Sequence, residues 1–133
     1  MGSYGREVEF GVSAEPLASP PDWVARVAKA ADKAGLELLG IQHHPHQRRF
    51  LDTWTLISTL IPATERTCSF PDVANLPLRP PAALAKAAAS LDVLSGGRIE
   101  IGPGAEVPSG TLSWRWMPPA EAQAERGARQ RRL

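Results

Sequence analysis

One stretch of the sequence decides the fold: residues 82–104, AALAKAAASLDVLSGGRIEIGPG. Its first part predicts a helix over Ala82–Leu94, because alanines dominate it and its leucines share one helical face. The run Ser95-Gly96-Gly97 predicts the end of that helix. Arg98–Ile101 then predicts a strand that ends in Gly102-Pro103-Gly104. The stretch is therefore a helix that leads through a very short connection into a strand.

The same alternation of strand and helix extends back to the N-terminus. Ser19 is the candidate N-cap of a first helix, and Gly35 ends that helix. Asp52 is the candidate N-cap of a second helix, whose pattern stops at Pro62. The earlier strands are predicted at Glu7–Val12, Leu36–Ile41 and Thr67–Ala74, the last interrupted by Pro71 and Asp72.

This regular succession predicts an α/β fold. Short linkers and nearly continuous apolar strands indicate parallel pairing with right-handed crossovers. Two architectures share the pattern, the (β/α)8 TIM barrel and the doubly wound sheet, and the absence of a Gly-rich dinucleotide loop after the first strand favours the barrel. A complete barrel needs about 250 residues. The 133 residues of the chain therefore predict an incomplete (β/α)8 TIM barrel, with roughly its first four parallel strands and three helices.

Composition and charge exclude several classes of protein. The formal net charge of +1 provides no general basic field for nucleic acid. Arginines between residues 126 and 132 form a local basic tail, which is typical of a solvated chain end. No apolar run reaches the length of a membrane span, the N-terminal residues lack an apolar leader, and the single cysteine, Cys68, allows no internal disulfide. We therefore expect a cytoplasmic protein without a nucleic-acid or membrane partner.

The carboxyl ends of parallel strands are the places to search for chemistry, because ligands of parallel α/β folds bind there. The end of the second strand holds His44. Histidine is the side chain best suited to proton exchange near neutral pH, so His44 is the candidate catalytic residue. The alternative is a loop histidine that solvent satisfies. The four strand ends are Ser13-Ala14, His43-His44, residues 72–75 and residues 102–106.

Other residues at these strand ends leave two interpretations open. Asp72 and Asn75 can hydrogen-bond a heterocyclic ligand or cap their own loop. Gly102 and Gly104 let the backbone approach a ligand closely, although glycines after a strand are also common turn residues. A metal site built from the three histidines of residues 43–46 is disfavoured, because their spacing rarely lets three imidazoles converge and no completing Cys or carboxylate lies nearby in the sequence.

Four segments resemble the luciferase-like monooxygenase family, and the match covers residues 7–105. The last segment is highly specific for that family, since its helix ends in Ser-Gly-Gly-Arg and is followed by a Gly-x-Gly strand end. The segments are Gly40-Ile41-Gln42-His43-His44-Pro45, Arg49-Phe50-Leu51-Asp52-Thr53-Trp54-Thr55-Leu56, Asn75-Leu76-Pro77-Leu78-Arg79-Pro80-Pro81 and Leu84-Ala85-Lys86-Ala87-Ala88-Ala89-Ser90-Leu91-Asp92-Val93-Leu94-Ser95-Gly96-Gly97-Arg98.

The resemblance implies a (β/α)8-barrel oxidoreductase, either a monooxygenase or a hydride-transfer reductase, that acts on a small-molecule substrate. It implies FMN or the deazaflavin coenzyme F-420 at the carboxyl ends of the strands, and a homodimer in the full-length family. His44 falls where members carry an active-site histidine, as proton donor or hydrogen-bond partner. The Asp72–Val73 bond falls where many members have a non-proline cis peptide. The implied cofactor-binding residues are His43, Asp72, Val73, Ala74, Asn75, Gly102 and Gly104.

The sequence departs from the family pattern at three places. His43 stands where close members usually have Asp, so a group that can be cationic replaces an acceptor-only carboxylate. Pro103 replaces the middle residue of the usual Gly-Leu-Gly strand end. After Ala105 the strand–helix pattern does not resume, so we divide the chain into residues 1–105, the N-terminal part of the barrel, and residues 106–133, an irregular or frameshifted tail with one short helical candidate at 120–126.

The early end of the barrel pattern predicts that this chain is inactive alone. The first and fourth strands remain unpaired edges, and the cofactor phosphate site of such barrels comes largely from late loops. We therefore expect weak flavin binding and no turnover. The alternative function is a non-catalytic dimerisation or interaction fragment that uses the helix surface of Trp54 and Leu91.

Overall fold

The computed structural model describes residue 5 and residues 7–104, so the predicted tail and its helical candidate lie outside the described residues. Within that part, strands and helices alternate as predicted, except that two short strands replace the third predicted strand, Thr67–Ala74. The strands are β1 (Gly11–Ala14), β2 (Leu38–Gln42), β3 (Cys68–Asp72), β4 (Ala74–Asn75) and β5 (Pro103–Gly104); the helices are α1 (Trp23–Ala34), α2 (Thr53–Leu60) and α3 (Pro81–Ser95), with short 3-10 turns at Ile61–Ala63 and Leu76–Leu78.

The strands pair in parallel and in chain order. β1 pairs with β2 and β2 with β3, and β4 pairs with β5 beyond the end of β3. The segment after α3 runs beside β3, where the Ser69 N–H donates to the Arg98 carbonyl at 3.0 Å and the Glu100 N–H donates to the Ser69 carbonyl at 3.1 Å. A doubly wound sheet reverses its strand order at a switch point. No such reversal occurs between residues 7 and 104.

The fourth predicted strand, Arg98–Ile101, is wrong in its position. Around Ile99 only an isolated parallel bridge to Ser69 forms, and the regular pairing begins at Pro103 and Gly104, opposite Ala74 and Asn75. The segment after α3 therefore runs beside β3 with few hydrogen bonds to it. It pairs regularly only when it reaches β4, which follows β3. Pro103 fits this arrangement because it lacks the N–H that a continuous ladder would use.

The first strand and first helix begin later than predicted. β1 begins at Gly11, because residues 7–9 face no partner strand in the described part of the sheet and β2 begins only at Leu38. Ser19 is not the N-cap of α1: the two prolines that follow it lie in a turn, the Trp23 N–H donates to the Pro20 carbonyl at 3.1 Å, and Asp22 occupies the cap position.

The C-terminal ends of α1 and α3 and the N-cap of α2 agree with the prediction. Gly35 has a left-handed φ of 82° and donates its N–H to the last turn of α1. The Asp52 carboxylate accepts the Thr55 N–H at 2.9 Å, which confirms it as the N-cap of α2. Gly96 and Gly97 have φ values of 71° and 88° after α3, a conformation that disfavours any side chain with a Cβ. Single glycine and aspartate residues were therefore sufficient to predict these helix boundaries from the sequence.

One face of the sheet packs against the three helices and forms the core. Leu39 and Ile41 of β2 are fully buried, and so are Ile57 and Leu60 of α2. Full burial of a side chain of this size contributes about 1.5–3 kcal/mol. The core consists of Ala14, Val24, Ala28, Leu39, Ile41, Trp54, Leu56, Ile57, Leu60, Ala74, Leu84, Ala88 and Leu91.

The predicted interaction surface of Trp54 and Leu91 is wrong. Their side chains are only 4% and 9% exposed, because the chain's own sheet and helices cover them. The large apolar side chains that α3 exposes are Val93 and Leu94 instead.

Candidate active site

The parallel pairing brings the ends of β1, β2 and β3 to one side of their three-stranded sheet, and β4 and β5 form a separate two-stranded sheet. We call the end defined by Ala14, Gln42 and Asp72 the carboxyl edge, and the end defined by Gly11, Leu38 and Cys68 the amino edge. Because β4 pairs with β5 just beyond Asp72, Gly104 also lies at the carboxyl edge. The structure therefore brings together residues 43–44, 72–75 and 102–104, which the sequence predicted as site residues.

A hydrogen bond crosses β2 at the carboxyl edge. The Ser13 hydroxyl donates to Asp72 Oδ2 at 3.1 Å, although β2 lies between the two strands that carry them. Gly40 of β2 pairs with Ser13 on one side and Phe70 on the other. A Cβ on Gly40 would approach the Phe70 ring to 3.0 Å and the Asp72 Cβ to 3.4 Å. The glycine therefore leaves the space in which the serine and the carboxylate meet.

Ser13 is a functional candidate to which the sequence analysis gave a position, at the end of the first strand, but no role. The two partners are 59 residues apart, and neither stands in a motif that points to the other. The available signal was alternation: with Ala14 buried in the core, Ser13 faces the opposite side of the sheet, as does Asp72 at the end of β3. Sequence could place both on one face but could not show the bond.

His43 lies buried directly after β2, with 5% of its surface exposed. Its Nδ1 accepts the Asn75 N–H at 3.0 Å, and its own backbone N–H donates to the Asp72 carbonyl at 3.4 Å. Burial lowers the pKa of the imidazole below its ordinary value; the Asp52 carboxylate opposes that effect and the Arg79 guanidinium adds to it. The ring is therefore neutral near pH 7 and acts as an acceptor.

His44 is exposed in the loop that follows β2. Its ring lies edge-on to the His46 ring at 5.5 Å and tilted toward the Phe50 ring at 6.4 Å. Two backbone bonds fix this loop to the one after β1: the Ala18 N–H donates to the Arg49 carbonyl at 2.8 Å, and the Leu51 N–H donates to the Pro16 carbonyl at 2.7 Å. The candidate catalytic imidazole is thus accessible on an anchored loop.

The segment after β3 presents an apolar side chain at the carboxyl edge. The Asp72–Val73 peptide bond is cis, which confirms the prediction from the resemblance. The Val73 side chain is 47% exposed, and a Cβ on Gly104 would overlap its Cγ2 atom. A Cβ on Gly102 would meet nothing within 4 Å. Gly104 therefore accommodates Val73, and of these two glycines Gly102 keeps open space above the backbone.

The start of α2 supports the carboxyl edge from the helix side. The Thr53 hydroxyl donates to the Gln42 carbonyl at 2.6 Å, and Arg79 Nη2 donates to both Asp52 oxygens at 3.0 and 3.1 Å. Burial would raise the pKa of Asp52, but hydrogen bonds from Thr55 and the Arg79 charge outweigh it, so the pKa lies below its ordinary value. The Arg79 guanidinium also lies 5.8 Å above the Trp54 ring.

Two further observations concern the described residues. No group of three or more His, Cys, Asp and Glu side chains among them has the arrangement needed to hold a metal ion. None of the three helices combines the length and the apolar composition that crossing a membrane would require.

Comparison with known proteins assigns the class. The family model of the luciferase-like monooxygenases matches residues 7–126, so this chain belongs to that family. The match confirms the resemblance and extends past Ala105, where the sequence had predicted the end of the family pattern. The division of the chain at residue 105 remains a prediction.

Solved structures of similar proteins include flavin and deazaflavin enzymes. The coenzyme F-420-dependent tetrahydromethanopterin reductase from Methanopyrus kandleri is 28% identical with a TM-score of 0.68, over 77% of this chain and 28% of its own. The oxygenating constituent of 3,6-diketocamphane monooxygenase from Pseudomonas putida, solved with FMN, is 26% identical with a TM-score of 0.67, over 76% of this chain and 30% of its own.

A third similar structure supports the fold alone. An F-420-dependent secondary alcohol dehydrogenase, solved with an F-420–acetone adduct, is 20% identical with a TM-score of 0.69, over 90% of this chain and 38% of its own. The chain thus spans less than two-fifths of the length of each of these three proteins.

Proposed function

We propose that this chain is the N-terminal portion of a luciferase-like oxidoreductase that binds FMN or coenzyme F-420 at its carboxyl edge. The observation that carries the proposal is the meeting of His43, Asn75 and Gly104 at that edge, in a parallel sheet whose strands follow chain order. Sequential order is the arrangement of a (β/α)8 barrel, and ligands of such barrels bind at the carboxyl ends of the strands.

The groups at the carboxyl edge are of the kind that binds a flat heterocyclic ring. Val73 offers an exposed apolar surface, the space above Gly102 is open, and His44 is an accessible donor or acceptor nearby. Sites for such ligands combine mostly apolar walls with a few placed polar groups. When bound, the ring supplies hydride or oxygen chemistry, and the protein supplies orientation and proton management. His44 would donate a proton or a hydrogen bond, as the resemblance implies.

The other predicted cofactor-binding residues of this segment have different roles. Asp72, held by Ser13, presents a carboxylate that accepts hydrogen bonds at the edge. Ala74 is buried in the core and Asn75 is 8% exposed, so neither side chain has much surface for a ligand. Both residues contribute through their backbone, which pairs with β5. We assign His43 to the support of this segment, because its Nδ1 accepts the Asn75 N–H.

We propose further that the chain alone binds the ring weakly and does not turn over. In complete (β/α)8 barrels the phosphate site comes largely from loops late in the sequence, whereas this chain covers 28% and 30% of two solved relatives. Dimerisation, a small-molecule substrate and a cytoplasmic location remain predictions from the resemblance and the composition. The boundary at residue 105 and the frameshifted tail are proposals of the same kind.

The test is a chemical-shift map, because NMR detects weak binding. FMN and, separately, F-420 are titrated into the 15N-labelled 133-residue chain. We expect the amides of Val73, Asn75 and Gly104 to shift, while the amide of Thr67 at the amino edge does not. The variant His44→Ala should weaken the response at the same amides, and Lys29→Ala, on the exposed face of α1, is the matched control.

Two outcomes of this titration contradict parts of the proposal. Shifts concentrated at the amino edge, or none at the ligand's solubility limit, would remove the ring site. Stoichiometric binding with turnover of the bound ring would instead refute the inactivity of the chain and leave the site in place.

A further inference from the structure

His43 holds both ends of the segment that follows β3. Its backbone N–H donates to the Asp72 carbonyl at 3.4 Å, and its side-chain Nδ1 accepts the Asn75 N–H at 3.0 Å. With 5% of its surface exposed, it has little surface to offer a ligand. The residue that the sequence predicted as a cofactor contact is thus a link between β2 and residues 72–75.

The hydrogen bond to Asn75 specifies the protonation state of the ring. An Nδ1 that accepts a hydrogen bond carries no proton, so the proton of the neutral imidazole is on Nε2. A protonated imidazole has donors on both nitrogens and no acceptor left. The bond from the Asn75 N–H therefore exists only while His43 is neutral.

We infer that His43 is a positioning residue whose neutral imidazole holds residues 73–75 at the carboxyl edge, and that loss of this acceptor releases the segment. The inference deepens the proposed function, since Val73 belongs to the proposed ring surface. Its structural content stands without any ligand, because it concerns the bond between His43 and Asn75 alone.

The groups around His43 set the pH at which the bond is lost. Burial lowers the pKa; Asp52 at the start of α2 and a hydrogen bond with the Val73 backbone raise it, whereas Arg79 and the neighbouring His44 lower it. Because the net pKa lies below the ordinary value, the folded chain takes up the proton less readily than the unfolded chain. The stabilisation is complete above the unfolded pKa of about 6.5 and is lost as pH falls through the folded pKa.

Bond geometry shows which other side chains could supply the acceptor that His43 provides. The Nδ1 of histidine and the Oδ atoms of Asp or Asn are each attached to Cγ, so all three residues can place an acceptor at the same distance along the side chain. An Asn side chain does not titrate, whereas the imidazole stops accepting once it is protonated. The bond to Asn75 is therefore pH-dependent because its acceptor is an imidazole.

The experiment measures amide hydrogen exchange by NMR on the ligand-free 133-residue chain from pH 7.5 down to the lowest pH at which the chain stays folded. Protection factors, which correct for the intrinsic pH dependence of exchange, are compared for Asn75 and for Leu39 in the core. In the wild type, Asn75 protection should fall on acidification while Leu39 protection changes little. In His43→Asn, which keeps an acceptor but cannot titrate, Asn75 should stay protected throughout.

A variant without the acceptor completes the test. At pH 7.5 His43→Leu should lower Asn75 protection about tenfold relative to the wild type, the effect of losing one hydrogen bond, and it should show no further loss on acidification. The 15N shifts of the wild-type ring at pH 7.5 should show the proton on Nε2. If His43→Leu does not fold, the wild type and His43→Asn decide the matter alone.

Three results would overturn the inference: a proton on Nδ1 at pH 7.5, unchanged Asn75 protection in a folded His43→Leu, or an acid response that persists in His43→Asn. Since no flavin is present, failure here leaves the ring site untouched. An absent ring response in the titration above would likewise leave the His43–Asn75 bond untouched.

Discussion

Two carboxylates mark the opposite edges of the sheet and differ in what surrounds them. At the amino edge Asp32 accepts three backbone N–H groups, those of Glu65, Arg66 and Thr67, at 2.8–3.1 Å, together with the Thr67 hydroxyl. At the carboxyl edge Asp72 accepts the Ser13 hydroxyl at 3.1 Å. Asp32 satisfies the backbone N–H groups of the loop before β3. Asp72 instead lies beside an accessible surface.

Under the proposed function, the difference separates residues that stabilise the fold from residues that face the ligand. The amino edge satisfies main-chain groups, as Arg98 does by donating to the carbonyls of Ser95 and Ile61 at 2.9 and 3.1 Å. The carboxyl edge exposes Val73 and His44 instead. In (β/α)8 barrels, residues at the carboxyl ends of the strands contribute to ligand sites, and residues at the amino ends contribute to stability. Each prediction below tests whether this division holds.

The largest effect is expected from Asp32→Ala. Loss of the charged acceptor leaves three backbone N–H groups without their partner, and we expect the free energy of unfolding to fall by about 3 kcal/mol. Chemical denaturation measures it. Asp72→Ala is the matched change at the other edge and should cost less than about 1 kcal/mol. Equal losses from the two variants would contradict the division.

The charge of Asp32 also predicts an acid dependence. Hydrogen bonds, foremost the one from the Thr67 N–H, hold the pKa of Asp32 well below its ordinary value despite the opposing effect of burial. The stabilisation is therefore complete above the unfolded pKa of about 3.9 and is lost as pH falls below it. Asp32→Asn should flatten the decline of stability below pH 4 in denaturation series. An unchanged acid slope would show that Asp32 does not carry it.

Arg98→Ala should have the second-largest effect on stability. The guanidinium donates to Thr64 Oγ1 at 3.0 Å and to the backbone carbonyls at the ends of α2 and α3, where the helix dipoles favour a positive charge. We expect a loss of about 2 kcal/mol. Arg98→Lys should recover only part of it, because one ammonium cannot reach three acceptors in fixed directions. Full recovery with lysine would reduce the role of Arg98 to its charge.

Gly104→Ala should disturb the carboxyl edge by about 1–2 kcal/mol, because the new methyl group overlaps Val73 Cγ2. Val73→Ala removes that atom, so the double variant should recover most of the loss. Thermal unfolding of both single variants and the double variant measures the coupling. Strict additivity of the two changes would mean that Gly104 is required for another reason.

The smallest effect on stability is expected from Ser13→Ala. A hydrogen bond at an accessible edge contributes about 0.5–1 kcal/mol, and water can replace the hydroxyl at Asp72. The variant should nevertheless change the FMN-induced shift of Val73, since Asp72 then loses the partner that orients it. A stability loss as large as that of Asp32→Ala would place Ser13 among the structural residues.

The sequence alone predicted the elements whose start or end is marked by a local capping residue. The helix α3 was predicted at residues 82–94 and lies at Pro81–Ser95, and the Asp52 cap and the Gly35 end are local signals that depend on residues three or four positions away. These features follow from backbone groups that a nearby side chain or a glycine must satisfy.

Features that depend on distant partners could not be predicted in the same way. The start of β1 depends on where β2 begins, and the fourth strand pairs with β4 only after β3 has ended. The bond from Ser13 to Asp72 spans 59 residues, and the bond from Asn75 to His43 spans 32. The sequence placed these residues at strand ends, but their contacts require the register of the sheet.

The most direct test of the central claim is an intermolecular nuclear Overhauser experiment between FMN and the chain with labelled methyl groups. The account predicts contacts from the ring methyl protons to the methyl groups of Val73 at the carboxyl edge. Contacts to Ala63 and Thr67 at the amino edge, with none to Val73, would contradict it.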